Sequence, residues 1–226
     1  GIRIIQDGAQ SLGAVYKSSP MGAQTEISTM SFHMAKIMTC IEGGMVFTHN
    51  NDFKEKLLSM RNQGEPQNGK YKHVLLGTNA RMTDVQAAIG LAQFKKLPMM
   101  LEERRRVASM YNKIILESAI RAEFFSSLDK DCKNAYFFYP ILVNNRDKIV
   151  NQLREKHGID TRIAYPMPLF KQEVYASGKA KCKYMECPVA EKVTSKIINL
   201  PIFPGMSDVM IETVVRALNT EIARSE

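Results

Sequence analysis

The sequence predicts an α/β fold, a partial large domain with a mixed sheet, followed by a small α+β domain. Three observations carry that expectation. Short apolar runs at Ile2–Ile5, Ile27–Phe32 and Met45–Thr48 are separated by turn residues and followed by stretches of helical periodicity. Asp7 follows the first run, and ligands in open α/β sheets sit beyond the carboxyl ends of strands. After Arg121 the texture changes, and the strongly β-prone run Tyr136–Val143 opens a new alternation of strand and helix. The expected division is 1–118 and 119–226, which suits a length of 226 residues.

Taken in order, Ile2–Ile5 reads as a short buried strand and Lys17–Gly22 as a turn-rich segment. Ile27–Phe32 and Met45–Thr48 read as the second and third strands, the latter after the Gly43-Gly44 turn. Asn51 or Asp52 caps a helix reaching about Met60, and Gln63–Lys70 is a polar loop. Thr83 and Gln86 have capping-box spacing, in which hydroxyl and amide each satisfy an orphan backbone donor. Val85, Ala88, Ile89 and Ala92 then line one helical face. Pro98 ends this helix or starts the next, which runs to about Ser118 with Val107, Met110, Tyr111 and Ile114 as its apolar stripe. Beyond it come the Tyr136–Val143 strand, a helix over Asp147–Lys156 stopped by Gly158, and a strand over Thr161–Tyr165. Asn199–Gly205 is a proline-bearing connection. Ser207 and Asp208 cap a last helix with Ile211, Val214, Val215, Leu218 and Ile222 on one face.

Composition narrows the function classes. Hydrophobic residues make up 45% of the chain, enough for a core and too many for a disordered one. No apolar run reaches membrane-spanning length, and the start lacks the charged-then-apolar pattern of a signal peptide. The expectation is a cytoplasmic protein with no membrane partner. Cys40, Cys132, Cys182 and Cys187 are scattered, without the paired spacing of a zinc site, and read as reduced thiols. The 31 lysines and arginines against 23 acidic residues give a net charge of +8. They are spread along the chain, and the densest run, Arg104-Arg105-Arg106, follows Glu102-Glu103 as on a solvated helix face. No basic motif is interleaved with aromatics, which argues against nucleic acid. A diphosphate-bearing small substrate would be drawn by the same positive field.

The chemistry centres on Lys36, in Ser-Phe-His-Met-Ala-Lys shortly before Glu42-Gly43-Gly44. Pyridoxal phosphate (PLP) needs an amine for its aldehyde, a carboxylate at its pyridine nitrogen and anchors for its phosphate. Lys36, flanked by Met34, Ala35, Ile37 and Met38, offers an amine in a partly desolvated setting, and Asp7 offers the carboxylate. Each residue also has a plainer reading. A lone lysine among apolar residues usually lies along the surface. Asp7 would serve equally as a cap or turn residue, and Ser31 as a strand residue. Asn79 and Arg81 would serve only to organise the entry to the Thr83 helix. Of the widely spaced His33, His49, His73 and His157, His33 stands nearest Lys36. The Gly43-Gly44 pair reads as a turn, and the 14 methionines as core filler.

In combination these residues carry a family likeness. Asp7-Gly8-Ala9-Gln10, Ser31-Phe32 with Lys36, Glu42-Gly43-Gly44, Arg61-Asn62 and Gly77-Thr78-Asn79-Ala80-Arg81-Met82-Thr83 with Gln86-Ala87-Ala88 follow one another in order. Tyr139-Pro140, Thr161-Arg162, Tyr165-Pro166, Pro168-Leu169, Cys187-Pro188, Ala190-Glu191, Leu200-Pro201 and Phe203-Pro204 continue the series. The set resembles the DegT/DnrJ/StrS family of sugar aminotransferases over nearly all of the chain. The resemblance implies the PLP-dependent fold-type I aminotransferase fold and transfer of an amino group, usually from glutamate, to a keto group on a nucleotide-linked sugar. It implies that Lys36 forms the imine with PLP and moves the proton between substrate and cofactor carbons. It further implies that Asp7 partners the pyridinium, Gln10 lies against the ring or its phenolic oxygen, and Ser31 anchors the phosphate. A homodimer with a shared site is implied too, in which Asn79 and Arg81 reach across to the phosphate.

The likeness has departures. Complete members carry a long segment before the aspartate strand, with a phosphate-gripping loop and a ring-stacking aromatic, so weak cofactor retention is expected of these 226 residues alone. Gly8 stands where alanine is usual, Ile41 where glycine often precedes the glutamate, and Phe170 where many members carry histidine. Two rival readings remain. A PLP-dependent sugar dehydratase would carry histidine in place of Lys36. A non-catalytic fold-type I relative, acting as a sensor or binding module, would show no glutamate-dependent turnover.

Overall fold

A computed structural model of the chain describes residues 1–118, 122–124, 130–180 and 186–225. The expected domain boundary at residue 119, and Arg121 and Cys182, lie outside the described residues. The first elements are β1 (Ile5–Asp7), β2 (Val15–Tyr16), β3 (Ser19–Pro20), β4 (Ile27–Ser31), β5 (Gly44–Thr48), α1 (Asn51–Arg61), α2 (Asp84–Phe94) and α3 (Leu97–Glu117). There follow β6 (Glu123–Phe124), β7 (Cys132–Lys133), β8 (Tyr139–Leu142), α4 (Arg146–His157), a 3-10 turn (Leu169–Lys171), α5 (Glu173–Ala176), α6 (Pro188–Lys196), β9 (Ile197–Leu200) and α7 (Asp208–Ala223). Two compact units result, one of Gly1–Glu102 with Leu128–Phe137, the other of Glu103–Ser127 with Phe138–Glu226.

In the first unit β4 is the central strand of three. It runs parallel to β1, with Asp7 opposite Thr29, and antiparallel to β5, with Ser31 opposite Gly44. Alternation along β4 buries Ser28 and Met30 and leaves their neighbours half-buried. The buried Ser28 hydroxyl donates to the Gly22 carbonyl, and Gln6 Oε1 accepts from Gly22 N at 2.9 Å, so one turn ties both strands. A small antiparallel sheet, β3-β2-β7, stands beside the turn residues 17–18. The core gathers Met30, Phe32, Ile37, Met38, Cys40, Leu97, Leu101 and Ala135, with Leu12, Ala14, Met21 and Phe137 against it.

Three expectations change here. The first strand forms at Ile5–Asp7 rather than Ile2–Ile5, and it is not buried: Ile5 is 69% exposed. It pairs on one side only, with β4, and among the described residues nothing covers its apolar side chains. The cap of α1 is Asn50, whose Oδ1 accepts from Asp52 N at 2.9 Å and Phe53 N at 3.2 Å. The capping box of α2 forms as expected, yet no residue of that helix is buried.

In the second unit β6, β8 and β9 form an antiparallel sheet. Ile149 and Leu153 of α4 and the expected face of α7 (Ile211, Val214, Val215, Leu218 and Ile222) are all buried. Each such side chain contributes roughly 1.5–3 kcal/mol relative to exposure. Gly158 closes α4 at φ 65°, and the Ser207 hydroxyl accepts from Met210 N at the start of α7. The buried stripe of α3 is Val107, Ala108, Tyr111 and Ile115, one position on from Met110 and Ile114. Tyr111 donates to Pro201 O at 2.8 Å, and burial pushes its phenol well above the ordinary range. Thr161–Tyr165 forms no strand, only a bridge between Arg162 and Asn199. Pro166 and Pro168, which follow, have no N–H to extend it. Asn199 and Leu200 themselves belong to β9.

Charged groups in this unit are engaged rather than merely solvated. Arg106 reaches Asp208 Oδ1 at 2.7 Å and Glu103 Oε2 at 3.3 Å, and donates to Met206 O. Glu221, on the buried face of α7, has its Oε1 3.0 Å from His157 Nε2 and 2.9 Å from Arg224, with Lys156 3.6 Å from Oε2. The His157 hydrogen bond holds the Glu221 carboxyl below its ordinary value, helped by the Lys156 and Arg224 charges and opposed by burial.

The first unit carries one costly backbone conformation beside its glycine turn. Ile41 has φ 73°, a β-branched residue in the left-handed region. That conformation costs roughly 1–2 kcal/mol for an L-residue and is free for glycine. Ile41→Gly is expected to raise the unfolding free energy by about 1 kcal/mol, read from the urea midpoint at unchanged slope. A second expectation concerns acid. A carboxyl whose folded value is depressed stabilises fully above its unfolded value, near 4.5, and loses that contribution as pH falls through the folded value. Stability measured from pH 6 downward should therefore fall below about pH 4.5, and Glu221→Gln should flatten that limb while lowering stability at neutral pH.

Candidate functional site

The sequence-predicted residues all fall in the first unit, and strand pairing explains where three of them stand. Because β1 and β4 are parallel, their carboxyl ends share one edge of the sheet. Asp7 ends β1 and Ser31 ends β4. Gly8 N extends the pairing by donating to Thr29 O at 2.8 Å. A Cβ at Gly8 would lie 2.6 Å from Thr29 O and 2.9 Å from the Met30 thioether. Met30 fills the space that an alanine there would need. Asp7 is exposed; its Oδ1 accepts from Ala9 N at 2.9 Å, and among the described residues no donor engages Oδ2. Gln10, three residues on, is exposed at the same strand end.

Lys36 lies in the loop that joins β4 to β5. Phe32 N donates to Gly43 O at 2.8 Å and Cys40 N to Phe32 O at 3.0 Å, which closes the loop at its base. Ile37, Met38 and Cys40 are drawn into the core, while Met34 and Ala35 stay outside. Those apolar anchors leave Lys36 half-buried, with Nζ 4.9 Å from the centre of the Phe137 ring, a cation–π contact. Among the described residues no carboxylate pairs with that amine. The turn itself is held by Lys36 N donating to His33 O at 3.0 Å and Ala35 N to His33 Nδ1 at 3.1 Å. His33 N donates in turn to the Ser31 hydroxyl at 3.3 Å, and His33 Nε2 lies 3.4 Å from Glu42 Oε1. Burial raises the Cys40 thiol above its ordinary value, so this cysteine behaves as an inert core residue.

Asn79 and Arg81 belong to a separate segment of the chain. Both are exposed, on a segment zipped to residues 60–63: Thr78 N donates to Met60 O at 2.8 Å and Ala80 N to Arg61 O at 3.0 Å. Asn79 bridges Asn62, and Arg81 donates to Asn62 Oδ1. At the end of the segment Thr83 and Gln86 cap α2, and Gln86 Nε2 donates to Glu42 O at 2.9 Å.

Among the described residues the arrangement offers an amine with no carboxylate partner, a carboxylate with an open oxygen and a hydroxyl, from the carboxyl ends of β1 and β4 and the loop that follows β4. That donor set fits the aldehyde, pyridine nitrogen and phosphate of a pyridoxal group. Among the described residues no cluster of three His, Cys, Asp or Glu suits a metal ion. Sequence reasoning missed Phe137 and the His33–Glu42 contact. Phe137 carries no local signal, since its closeness to Lys36 arises only from tertiary packing. His33 was visible as a neighbour of Lys36, but the Glu42 contact needs the loop to close.

Comparison with known proteins gives the frame. GDP-perosamine synthase of Escherichia coli O157:H7 is 33% identical over 223 residues, covering 96% of this chain and 57% of that protein. UDP-N-acetyl-3-dehydro-alpha-D-glucosamine 3-aminotransferase of Acidithiobacillus ferrooxidans is 32% identical over 227 residues, covering 96% and 57%. The crystal structure of a DegT DnrJ EryC1 StrS aminotransferase from Brucella abortus superposes with a TM-score of 0.88 at 28% identity, covering 97% of this chain and 57% of that one. The chain thus spans a little over half the length of these relatives, and its fold is theirs. Residues 1–219 match the DegT/DnrJ/EryC1/StrS aminotransferase family, and the chain belongs to that family.

Proposed function

We propose that this chain is part of a PLP-dependent aminotransferase that passes an amino group, from glutamate, to a keto group of a nucleotide-linked sugar. The product would be an aminosugar for glycan or surface polysaccharide, made in the cytoplasm. One observation carries the reading: Lys36, with no carboxylate partner among the described residues, follows the carboxyl end of β4, and the open Asp7 carboxylate ends the adjacent parallel β1. The relatives named as perosamine synthase and 3-aminotransferase support the substrate class.

When bound, PLP supplies an aldehyde that carries the amino group and a cationic ring that draws electrons from the substrate carbon. Lys36 Nζ would hold the cofactor through its aldehyde, and the same amine would serve as the base for the proton at the substrate carbon. The Phe137 ring against Nζ limits its wandering and shields it from water. Asp7, whose Oδ1 already accepts from Ala9 N, would hold the proton on the ring nitrogen through Oδ2. Gln10 would hold the ring or its phenolic oxygen, and the Ser31 hydroxyl would hold the phosphate. Asn79 and Arg81 would hold the phosphate in a second copy, with Arg81 oriented by Asn62. The exposed apolar side chains of α2, Val85, Leu91 and Phe94, support a homodimer.

Added to the full-length parent of this chain, PLP should give a visible absorbance band, and borohydride should fix the cofactor to the peptide carrying Lys36. Lys36→Ala should abolish both and lower glutamate-dependent turnover of a keto nucleotide-sugar by about 10²–10⁴-fold. A band and full turnover in Lys36→Ala would remove the lysine from the reaction. Sedimentation velocity should show a dimer that Leu91→Lys weakens; a monomer at high concentration would refute the shared site.

A further inference from the structure

Resting on the reading of Lys36 above, we propose that Gln86 is a positioning residue whose side-chain amide pins the Lys36 loop to the start of α2. The two ends of this side chain have different duties. Oε1 accepts from Thr83 N at 2.9 Å and from the Thr83 hydroxyl at 3.0 Å, which is the ordinary work of a capping box. Nε2 does something the cap does not need: it donates to Glu42 O at 2.9 Å, across 44 residues of sequence. That carbonyl also receives the Cys40 thiol at 3.3 Å.

Glu42 is where the Lys36 loop returns to the sheet. Its backbone is held by Gln86, and its carboxylate lies 3.4 Å from His33 Nε2. His33 in turn accepts from Ala35 N and Lys36 N, through its ring nitrogen and its carbonyl. A continuous line of polar contacts therefore runs from α2 through Glu42 and His33 to the turn that presents the amine. Close packing reinforces it. A Cβ at Gly43 would lie 2.4 Å from Cys40 Sγ and 3.1 Å from Met82 Cε, so glycine lets the α2 approach settle onto the loop.

The chemistry of the side chain makes the idea testable. Glutamate fills a capping box as well as glutamine does, and its charge suits a helix N-terminus. It has no N–H to give Glu42 O. Gln86→Glu thus keeps the cap and removes the pin, whereas Gln86→Ala removes both.

Hydrogen exchange on the protein without cofactor reads the pin directly. In Gln86→Glu the Phe32 and Cys40 amides should exchange about tenfold faster while the amides of α2 stay as protected as in the parent. With PLP added, the rate of borohydride trapping on Lys36 should fall about tenfold in the same variant. Unchanged exchange at Phe32 and Cys40, equal loosening of α2, or an unchanged trapping rate would each overturn the proposal. Failure of the Lys36 reading itself would show differently, as a PLP band that survives Lys36→Ala, and the cofactor-free exchange measurement does not depend on it.

Discussion

The two-sided pairing of β4 governs the first unit. Its parallel bond to β1 brings Asp7 and Ser31 to one edge, and its antiparallel bond to β5 forces the intervening chain to fold back as a closed loop. Were β1 antiparallel to β4, the carboxylate would sit at the opposite end of the sheet from the amine. The loop that results is short and tightly bonded at its base, between Phe32 and Gly43 and between Cys40 and Phe32. Placement of Lys36 is a consequence of that closure.

Within the loop, apolar burial and polar contact act on different sides. Ile37, Met38 and Cys40 sink into the core and fix the far wall, while His33 and Glu42 organise the near one. Lys36 emerges between them with an aromatic face for company and no anionic partner among the described residues. An amine so placed is available to an electrophile, where a salt-bridged lysine would not be. Ile41 shows the other side of this economy: the loop demands a left-handed residue and the sequence supplies a β-branched one.

The second unit is organised by a different balance. Its core is contiguous across α3, α4, α7 and the β8–β9 pair, and it admits a carboxylate, Glu221, into the buried face of α7. That carboxylate is tolerable because His157, Arg224 and Lys156 surround it. Arg106 similarly joins α3 to the start of α7 through Asp208 and the Met206 carbonyl. These contacts use residues that a charge-pattern reading assigns to solvent, since the periodicity that marks a polar face does not reveal what that face meets.

Much of the architecture was legible in the chain itself. Short apolar or β-prone runs marked β4, β5 and β8, the Thr83–Gln86 spacing marked the start of α2, and the face of α7 was read residue by residue. These features are local, fixed by side-chain periodicity and by hydrogen bonds spanning a few residues. The order of short motifs around Asp7, Ser31, Lys36 and Arg81 likewise sufficed to suggest the family. Tertiary structure alone decided the rest. Exposure of β1 and α2, the collapse of the Thr161–Tyr165 strand to one bridge, the Phe137 ring on Lys36 and the Gln86 bond to Glu42 all join or part residues distant in sequence. Such contacts depend on where whole elements come to rest, and no periodicity along a single segment encodes that.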